Sequence, residues 1–299
     1  MKMVSIIIVN YNLTQSIRIL LKSIEENVKN INYEVIVVDN NSPDRNIEKL
    51  SEEFPRIRFL YLETNYGFGH GNNSGVKISQ GKYLLMLNPD TYLINNLPLL
   101  LYKFAEEHPD IGIIGPKLVF PDRSMQVSYA KFPNIKQELL YAIGLIGIAL
   151  KSLYEIKNFI YKRSYYLVDF VFGSCMFIRK DVFQKVNGFD EAYFLFLEET
   201  DLCYRIKHDA GLKVVYWKEA SIVHEKSLIT GKNIPARIKQ NYISKLIFFS
   251  KNYSQFRRYI LEKTIIGVFL FKHLTLFRKG KAKQKFKEVY QAIIKLYLK

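Results

Sequence analysis

The stretch Tyr83–Leu93, YLLMLNPDTYL, carries the most information about the fold. Five mostly apolar residues run directly into Asn88, Pro89 and Asp90, a pattern that predicts a buried strand followed by a polar loop. In open α/β sheets ligands bind at the carboxyl ends of the strands, because loops there vary while the strands hold them rigidly. Asp90 is therefore a candidate metal ligand, and a plain Pro-Asp turn is the alternative interpretation.

Strand and helix patterns alternate through the first 120 residues. The runs VSIIIVNYN, YEVIVVDNNS, IRFLYLE and KYLLMLNPD are typical of strands, and SIRILLKSIEENV, NIEKLSEEF and GHGNNSGVKISQG are typical of helices. This alternation predicts an α/β fold whose parallel sheet has helices on both faces. We expect the polar residues that end the strands to converge on one sheet edge: Asn10, Tyr11, Asn12, Asp39, Asn40, Asn41, Ser42, Asn65, Asn88 and Asp90.

The pattern does not match two common phosphate-binding motifs. The glycines of NYGFGHGNNSG, residues 65–75, follow the third strand rather than the first and do not fit G-x-G-x-x-G. The chain has no P-loop either, so its phosphate partner must be held by something other than a Walker lysine. A divalent ion bound by Asp90 would serve this purpose.

Composition indicates a globular protein with a large core. The chain has 299 residues, of which 48% are hydrophobic and 14% aromatic, enough for one large domain or two smaller ones. Its two cysteines, Cys175 and Cys203, give no disulfide framework, and the first strand begins without the pattern of a signal peptide. We therefore expect a cytoplasmic protein.

The positive charge is concentrated at the C-terminal end. Residues 1–225 hold 26 Lys and Arg against 26 Asp and Glu, whereas residues 226–299 hold 18 against 2. In this tail Lys and Arg alternate with apolar and aromatic residues at helical spacing, and Lys272 interrupts its longest apolar run. The pattern favours helices that lie on the inner, anionic face of the cell membrane. Nucleic acid, a protein partner and a solvated charged surface are the alternatives; no nucleic acid is expected, because no base-reading module is recognisable.

Six motifs together resemble the family-two inverting glycosyltransferases of the GT-A fold, closest to their rhamnosyltransferase-like branch. The motifs are SIIIVNYN, VIVVDNNS, NYGFGHGNNSG, LMLNPDTYL, FGSCMFIRKDVFQKVNGFDEAYFLFLEETDLCYRI and SIVHEKS. The resemblance covers about residues 3–228 and implies a GT-A, Rossmann-like mixed sheet flanked by helices. It divides the chain into a catalytic domain, residues 1–228, and a basic helical tail, residues 229–299. Within the domain, about 1–110 would bind the nucleotide and 111–228 the acceptor.

The resemblance implies a nucleotide-sugar site at the predicted sheet edge. Asp39 matches an aspartate that accepts a hydrogen bond from the uracil or thymine ring, and Tyr11 is placed to stack on the base. An Asx turn formed by Asp39 and Asn41 is the structural alternative, and the loop residues Gly67 and Asn65 also suit turns with positive φ. The full set implied for the nucleotide-sugar is Asn10, Tyr11, Asn12, Asp39, Asn41, Asn65, Gly67, Asn73, Asn88 and Asp90.

The resemblance also implies a cofactor, Mg²⁺ or Mn²⁺. Asp90 stands at the last position of the family's D-x-D element, whose first aspartate is here replaced by Asn88. One carboxylate is a sparse site for a divalent cation. His224, at the end of the predicted strand ASIVH, matches a histidine that completes the metal shell in related enzymes, although a lone histidine is also common as a packed residue.

The acidic cluster Glu198, Glu199 and Asp201 is implied to supply the catalytic base. Inversion by a single displacement needs a base that takes the proton of the acceptor hydroxyl. The family usually has aspartate where this chain has Glu199, so Asp201 is an alternative base. For Asp201 an i,i+4 pair with Arg205 is favoured over catalysis, and for Glu198 a structural role is favoured.

Gly173 and Ser174 are expected near the sugar and acceptor. The segment LLYAIGLIGIAL, residues 139–150, is interpreted either as a buried helix or as an element facing a polyprenyl-diphosphate-linked acceptor. The resemblance thus implies a metal-dependent inverting glycosyltransferase of cell-surface glycan synthesis, with rhamnose from dTDP-rhamnose as the best donor and UDP-hexoses still open. A non-catalytic nucleotide-sugar or glycan-binding protein is the competing class, because of the departures at Asn88 and Glu199.

Overall fold

The computed structural model describes residues 2–44, 46–135, 137, 164–225, 234–275, 291–295 and 297. The strands are β1 Val4–Asn10, β2 Tyr33–Asp39, β3 Arg58–Tyr61, β4 Tyr83–Leu87, β5 Thr91–Tyr92, β6 Ile111–Val119, β7 Tyr129–Ala130, β8 Tyr165–Leu167, β9 Phe170–Val171, β10 Cys175–Arg179 and β11 Lys213–His224. The helices are α1 Thr14–Asn27, α2 Asn46–Glu53, α3 Phe68–Ile78, α4 Leu97–Glu107, α5 Lys180–Lys185, α6 Glu198–His208, α7 Ile234–Asn252 and α8 Gln255–Thr275.

The central sheet is mixed. Its strands follow the order β3-β2-β1-β4-β10-β6-β11-β5, and β8 also pairs with β11. The first four strands run parallel, whereas β10 is antiparallel to both β4 and β6. All residues of β1 and β4 are buried, as expected for central strands covered on both faces. The predicted α/β fold with a GT-A, Rossmann-like mixed sheet is confirmed.

The glycines of helix α3 serve packing against the sheet. A Cβ atom at Gly71 would lie 2.7 Å from a methyl group of Val9, and one at Gly75 would lie 2.7 Å from a methyl group of Ile7. Because larger side chains would collide there, these glycines let α3 pack directly on β1. This contact explains the glycine-rich stretch without a phosphate-binding motif.

Strand β11 brings the far end of the domain to the same sheet edge. The segments KVVYW and ASIVH form one strand, Lys213–His224, whose pairing with β6 is irregular between Trp217 and Ser221. At its end β11 pairs with β5, so that His224 lies opposite Thr91. His224 is thereby carried next to the loop that follows β4.

The C-terminal helices α7 and α8 confirm the predicted helical extension. Described residues of 1–131, 163–194 and 198–229 form one compact unit, and those of 132–162, 195–197 and 230–299 form another. The predicted boundaries near residues 110 and 228 stay a prediction. The segment LLYAIGLIGIAL lies outside the described residues. Within the described part of the chain, no helix has the length and apolarity needed to cross a membrane.

Candidate active site

The predicted convergence of strand ends is present. Asn10 at the end of β1 lies opposite Asp39 at the end of β2, and Asp39 lies opposite Tyr61 of β3. Strand β4 is in register with β1 up to the pair of Ile8 and Leu87. The loops that carry the candidate residues therefore leave the sheet at one edge, where open α/β sheets bind their ligands.

A buried hydrogen-bond network holds the ends of β1 and β2 together. Asn10 Nδ2 donates to Asp39 Oδ1 at 2.7 Å and to Ser42 Oγ at 3.0 Å. Asp39 also accepts hydrogen bonds from Ser42 Oγ at 2.7 Å and from Ser42 N at 2.9 Å. The backbone N–H of Leu13 donates to Asn10 Oδ1 at 3.0 Å. The network positions Asp39 and leaves its Oδ2 with capacity for a further donor.

The turn at Asp39 closes on Ser42 rather than Asn41. Asn41 is exposed and has a φ of 58°, a left-handed conformation that asparagine tolerates. At the end of β1, Tyr11 is 45% exposed. Next to it Asn12 is exposed, with a φ of 57°, and its N–H donates to Ser42 Oγ at 3.0 Å. These exposed side chains rim the edge on which a nucleotide base would lie.

Asn40, which the sequence did not single out as a site residue, organises the next loop. Its Nδ2 donates to Asn65 Oδ1 at 2.8 Å and to the Gly67 carbonyl at 3.0 Å, and its Oδ1 accepts from Tyr66 N at 3.1 Å. Gly67 has a φ of 92°, and a Cβ there would lie 2.0 Å from the Phe194 carbonyl oxygen. Glycine is therefore required at this position.

The Asn73 side chain bonds to the protein itself. Its Nδ2 donates to the Phe189 carbonyl at 2.9 Å and to Glu191 Oε1 at 3.0 Å, and its Oδ1 accepts from Phe189 N at 3.0 Å. These bonds fix the turn around residues 187–191, where Gly188 has a φ of 66°. The assignment of Asn73 to the nucleotide stays a prediction, and the structure shows what else this amide does.

The loop after β4 is tied to two other elements. Asn88 N donates to the Ser174 carbonyl at 3.0 Å, and Glu225 N donates to the Asp90 carbonyl at 2.9 Å. Asp90 is only 7% exposed. The loop is thus anchored on one side by the residue pair expected near the acceptor and on the other by the end of β11.

Asp90 and His224 face each other, as the metal prediction requires. His224 Nε2 lies 3.3 Å from Asp90 Oδ1, and both residues are buried. On the other side of the ring, His224 Nδ1 lies 3.1 Å from Gln126 Oε1. Among the described residues, no group of three or more His, Cys, Asp or Glu is arranged to hold a metal ion. An imidazole nitrogen next to a carboxylate oxygen nevertheless fits a divalent cation that takes further ligands from water and phosphate.

The first turn of α6 buries Glu198 and leaves Glu199 half-buried. Burial raises the pKa of Glu199 to about 7, although hydrogen bonds from the backbone at Glu199, Thr200 and Gly173 oppose this shift. Burial, and then the charge of Glu199, raise the pKa of Glu198 well above its usual range. Glu198 is 4% exposed, and its Oε2 has no hydrogen-bond partner in the described structure. Carboxyl groups with pKa values near neutrality are suited to proton transfer.

Gly173 and Ser174 connect the candidate base to the candidate metal loop. The Gly173 backbone hydrogen-bonds to the carboxyl group of Glu199, and a Cβ at Gly173 would lie 3.7 Å from Glu199 Cβ. The next carbonyl along the chain, that of Ser174, accepts the bond from Asn88 N. Two consecutive residues therefore fix Glu199 relative to the loop that carries Asp90.

Asp201, the alternative base, is held by structural partners. The predicted i,i+4 pair is present, with Arg205 Nε 2.7 Å from Asp201 Oδ2, and Tyr193 OH donates to Asp201 Oδ1 at 3.2 Å. Asp201 is 1% exposed. This geometry favours Glu199 over Asp201 for a base that must meet a substrate hydroxyl.

The backbone immediately before the glutamate pair is strained. Phe196 and Leu197 have φ values of 70° and 65°, in the left-handed region that bulky residues rarely adopt. Such conformations cost about 1–3 kcal/mol each and concentrate at functional sites. Phenylalanine and leucine are not typical of this conformation, so the residue types at 196 and 197 do not predict it.

Gln126 is the other residue that sequence reasoning missed. It is 3% exposed and contacts His224, which lies 98 positions further along the chain. The signal was present in SMQVS, residues 124–128, where polar and apolar residues alternate as in a strand. Residue types alone would place the apolar side inward, and the structure has the reverse.

Comparison with known proteins gives a family and several relatives for this chain. Residues 5–186 match the model of glycosyl transferase family 2. The chain is 26% identical to the N-acetylglucosaminyl-diphospho-decaprenol L-rhamnosyltransferase of Mycobacterium tuberculosis, over 78% of this chain and 80% of the relative. It is 29% identical to the rhamnosyltransferase WbbL of Escherichia coli K12, over 74% and 83%. A third relative is the low-salt glycan biosynthesis hexosyltransferase Agl10 of Haloferax volcanii, 27% identical over 69% and 62%.

These similarities support a role in glycosyl transfer during glycan synthesis. The family model covers more than half of the chain, and its range includes the strands that end in Asn10, Asp39 and Leu87. The matches to rhamnosyltransferases extend over about three quarters of the chain. The chain therefore belongs to glycosyl transferase family 2, with the GT-A fold and a sequence similar to those of rhamnosyltransferases.

Proposed function

We propose that this protein is an inverting glycosyltransferase that moves a sugar from a nucleoside diphosphate donor to a lipid-linked or polysaccharide acceptor. The observation that carries the proposal is the position of Glu199. Its carboxyl group, with a pKa of about 7, hydrogen-bonds to the Gly173 backbone, and the neighbouring Ser174 carbonyl binds Asn88, two residues before Asp90. A base is thereby fixed beside the loop that would hold the diphosphate.

The best donor is dTDP-rhamnose and the best acceptor is a polyprenyl-diphosphate-linked glycan. Two relatives are named as rhamnosyltransferases, and the mycobacterial name specifies a diphospho-decaprenol acceptor. The hexosyltransferase among the relatives keeps UDP-hexoses as the second candidate donors. The pyrimidine ring common to dTDP and UDP suits Asp39, because the ring N–H is a donor and Asp39 Oδ2 has room for one more.

The chemistry assigned to Glu199 is general base catalysis in a single displacement. The acceptor hydroxyl oxygen attacks the anomeric carbon while Glu199 takes its proton, and the bond from that carbon to the diphosphate oxygen breaks on the opposite face. The diphosphate leaves with the electron pair, so the configuration inverts. A carboxyl group with a pKa near 7 is about half ionised at neutral pH, and its ionised form is basic enough to accept a proton.

Asp90 and His224 are the residues that would hold Mg²⁺ or Mn²⁺. Asp90 Oδ1 and His224 Nε2 lie 3.3 Å apart, which suits two ligands that share one cation. When bound, the cation supplies positive charge that neutralises the diphosphate leaving group. The tie between Asp90 and Glu225 keeps this pair in place through the backbone of β11.

The test compares the wild-type protein with Glu199→Gln. The wild type, supplied with dTDP-rhamnose and Mn²⁺, should transfer the sugar or hydrolyse the donor slowly. Glu199→Gln should bind the donor as tightly and lose turnover by about 10²–10⁴-fold, the usual contribution of a general base. Donor binding by the wild type without transfer or hydrolysis of dTDP- or UDP-sugars would favour a non-catalytic nucleotide-sugar-binding protein instead.

We also propose that helix α8 contacts an anionic membrane surface. Its buried side carries Leu261, Ile265, Ile266 and Phe269. Its exposed side presents Phe256, 72% exposed, Tyr259, 58% exposed, and Leu270, 44% exposed, all at helical spacing.

Cationic side chains accompany this exposed stripe. Arg257 and Lys263 are exposed, and Lys263 Nζ lies 5.2 Å from the centre of the Tyr259 ring. Aromatic side chains and Lys263 on one exposed helix face, with Arg257 nearby, suit the interface of an anionic bilayer. This placement would keep the enzyme beside a lipid-linked acceptor.

Vesicle binding tests this contact. The double variant Phe256→Ser, Lys263→Gln should bind phosphatidylglycerol vesicles more weakly than the wild type. The matched control Ile19→Ser, Lys22→Gln removes an exposed apolar residue and an exposed lysine from α1 and should bind as the wild type does. Equal binding by all three proteins, or DNA binding with steep salt dependence and no vesicle binding, would overturn the proposal.

A further inference from the structure

The segment that carries Gln126 buries its polar side chains and exposes its apolar ones. Gln126 and Ser128 are buried at 3% and 2% exposure, whereas Met125 and Val127 are 43% and 44% exposed. The segment runs beside β6, since Gln126 N donates to the Leu118 carbonyl at 2.9 Å. Burying an amide in place of two apolar side chains costs free energy unless the amide is fully hydrogen-bonded. The partners of Gln126 explain why it lies inside.

The hydrogen bonds of Gln126 fix the direction of its amide. Its NH₂ group donates to the backbone carbonyls of His224 and, at 3.3 Å, of Val119. With the nitrogen facing two carbonyls, which only accept, the oxygen must be the atom that lies 3.1 Å from His224 Nδ1. An amide oxygen only accepts hydrogen bonds, so Nδ1 of His224 carries a proton.

We infer that Gln126 is a positioning residue that selects the tautomer of His224 competent to bind a cation. With the proton on Nδ1, the neutral ring has its lone pair on Nε2, the atom that lies 3.3 Å from Asp90 Oδ1. The inference rests on the divalent cation in the proposed function. Gln126 also holds the His224 carbonyl, so a single side chain sets both the tautomer and the backbone position of this residue.

The alternative tautomer of His224 would block cation binding. A neutral His224 with its proton on Nε2 donates that proton to Asp90 and thereby occupies both ligand atoms. Without an acceptor at Nδ1, this internal hydrogen bond is the favoured arrangement, because a buried N–H needs a partner. Partners that orient a ligating histidine in this way typically change metal affinity by about 10–100-fold.

Two substitutions at one position separate tautomer control from structural support. Gln126→Leu and Gln126→Glu both remove the NH₂ donors to the Val119 and His224 carbonyls, so both lose that support. Only Gln126→Glu keeps an oxygen that accepts from Nδ1. Met125→Ala, at an exposed position of the same segment, is the control for local disturbance.

The experiment measures tautomer and affinity in the full chain. Nitrogen-15 NMR of labelled histidine, assigned with His224→Asn, reports the protonated ring nitrogen in the metal-free protein at a pH where the ring is neutral. Electron paramagnetic resonance reports Mn²⁺ affinity in the presence of dTDP. We expect Nδ1–H in the wild type, Met125→Ala and Gln126→Glu. In Gln126→Leu we expect Nε2–H and Mn²⁺ affinity about 10–100-fold weaker.

The outcomes distinguish this inference from the proposed function. Nε2–H in the wild type would overturn it, and so would wild-type tautomer and Mn²⁺ affinity in Gln126→Leu. Equal loss of affinity in Gln126→Leu and Gln126→Glu, with Nδ1–H retained in both, would overturn it in favour of structural support alone. A wild type that shows Nδ1–H but no Mn²⁺ binding would contradict the cation in the proposed function, and the tautomer shift in Gln126→Leu would still support control by Gln126.

Discussion

On the side of the site where we place the nucleotide, the buried carboxylate of Asp39 accepts three hydrogen bonds, from Asn10 Nδ2, Ser42 Oγ and Ser42 N. On the side where we place the acceptor, Glu198 is buried and Glu199 is half-buried, and the Glu199 carboxyl group accepts backbone hydrogen bonds at Glu199, Thr200 and Gly173. Burial raises the pKa of both carboxyl groups, and Glu198 Oε2 has no partner in the described structure. Hydrogen bonds thus hold the Asp39 carboxylate, whereas burial raises the pKa of Glu198 and Glu199 and leaves one oxygen of Glu198 without a partner.

We attribute this difference to the two tasks proposed for the site, which are ligand binding and general base catalysis. A ligand-binding wall works best when its polar groups are already fixed, because no free energy is then spent on ordering them at binding. A base works best when its proton affinity is raised, and a protein raises that affinity by burying the carboxyl group away from solvent, at a cost in stability. The left-handed backbone at Phe196 and Leu197 adds to the cost on the acceptor side.

The largest effect is expected where the nucleotide side meets the diphosphate. Asp90→Ala should remove several kcal/mol of transition-state stabilisation, which lowers cation-dependent turnover by about 10²-fold or more. Steady-state kinetics across a Mn²⁺ titration measure this loss. Asp122→Ala, at an exposed aspartate, should leave turnover unchanged. Turnover of Asp90→Ala at the wild-type level would remove Asp90 from the site.

The next prediction disrupts the hydrogen-bond network of Asn10, Asp39 and Ser42. Asn10→Leu removes both amide donors to Asp39 and Ser42 and the acceptor for Leu13 N. We expect the free energy of unfolding to fall by about 2–3 kcal/mol, the cost of leaving buried polar partners unmatched. Urea denaturation measures the change.

Asn41→Gly serves as the control for this network. The residue is exposed and its φ of 58° suits glycine, so stability should change by less than about 0.5 kcal/mol. Unfolding free energies that match for Asn10→Leu and the wild type would mean that the network contributes no stability. The contrast between the two sides would then fail.

The last prediction concerns the stability of the Glu199→Gln variant, which we expect to rise rather than fall at high pH. Burial raises the pKa of Glu199 from 4.5 to about 7, so the folded state binds this proton more tightly than the unfolded chain. The resulting stability is present at low pH and is lost as pH rises through about 7. Glu199→Gln should therefore melt at a higher temperature than the wild type above that pH, and the difference should vanish near pH 4.5.

Melting curves at several pH values measure this crossover, with Glu107→Gln at an exposed position as the control. In the same pH range the wild-type kcat/KM should fall as pH drops below about 7, because protonation removes the base. A Glu199→Gln variant that is less stable than the wild type at every pH would show that the Glu199 side chain stabilises the fold and that its burial does not destabilise it.

Local sequence patterns predicted the secondary structure of residues 1–110 well. Strands 4–10, 33–39 and 83–87 and the helices between them lie close to where apolar periodicity puts them. Register then follows, since parallel strands that each end in polar residues bring Asn10, Asp39 and Asn88 to one edge. The i,i+4 pair of Asp201 and Arg205 was equally readable, because it depends only on helical spacing.

Contacts between residues far apart in the sequence could not be predicted from local patterns. The contact between Gln126 and His224 joins positions 98 residues apart, and no local period encodes it. Asn40 organises a loop 25 residues away, although sequence patterns gave it no more weight than Asn41. The split between Asp39, which is satisfied, and Glu198, which lacks a partner for Oε2, depends on what surrounds each carboxyl group after folding.

Local residue patterns are enough to predict the α/β class, the order of the elements along the first half, the residue types at the sheet edge and the basic character of the last quarter. These features follow from the 3.6- and 2-residue periods of local structure and from counting charges. The inward orientation of Gln126 toward His224 and the rise of the Glu199 pKa to about 7 depend instead on the folded arrangement of the chain. Solvation and hydrogen-bond partners set those properties, and both come from residues that the chain brings together only when it folds.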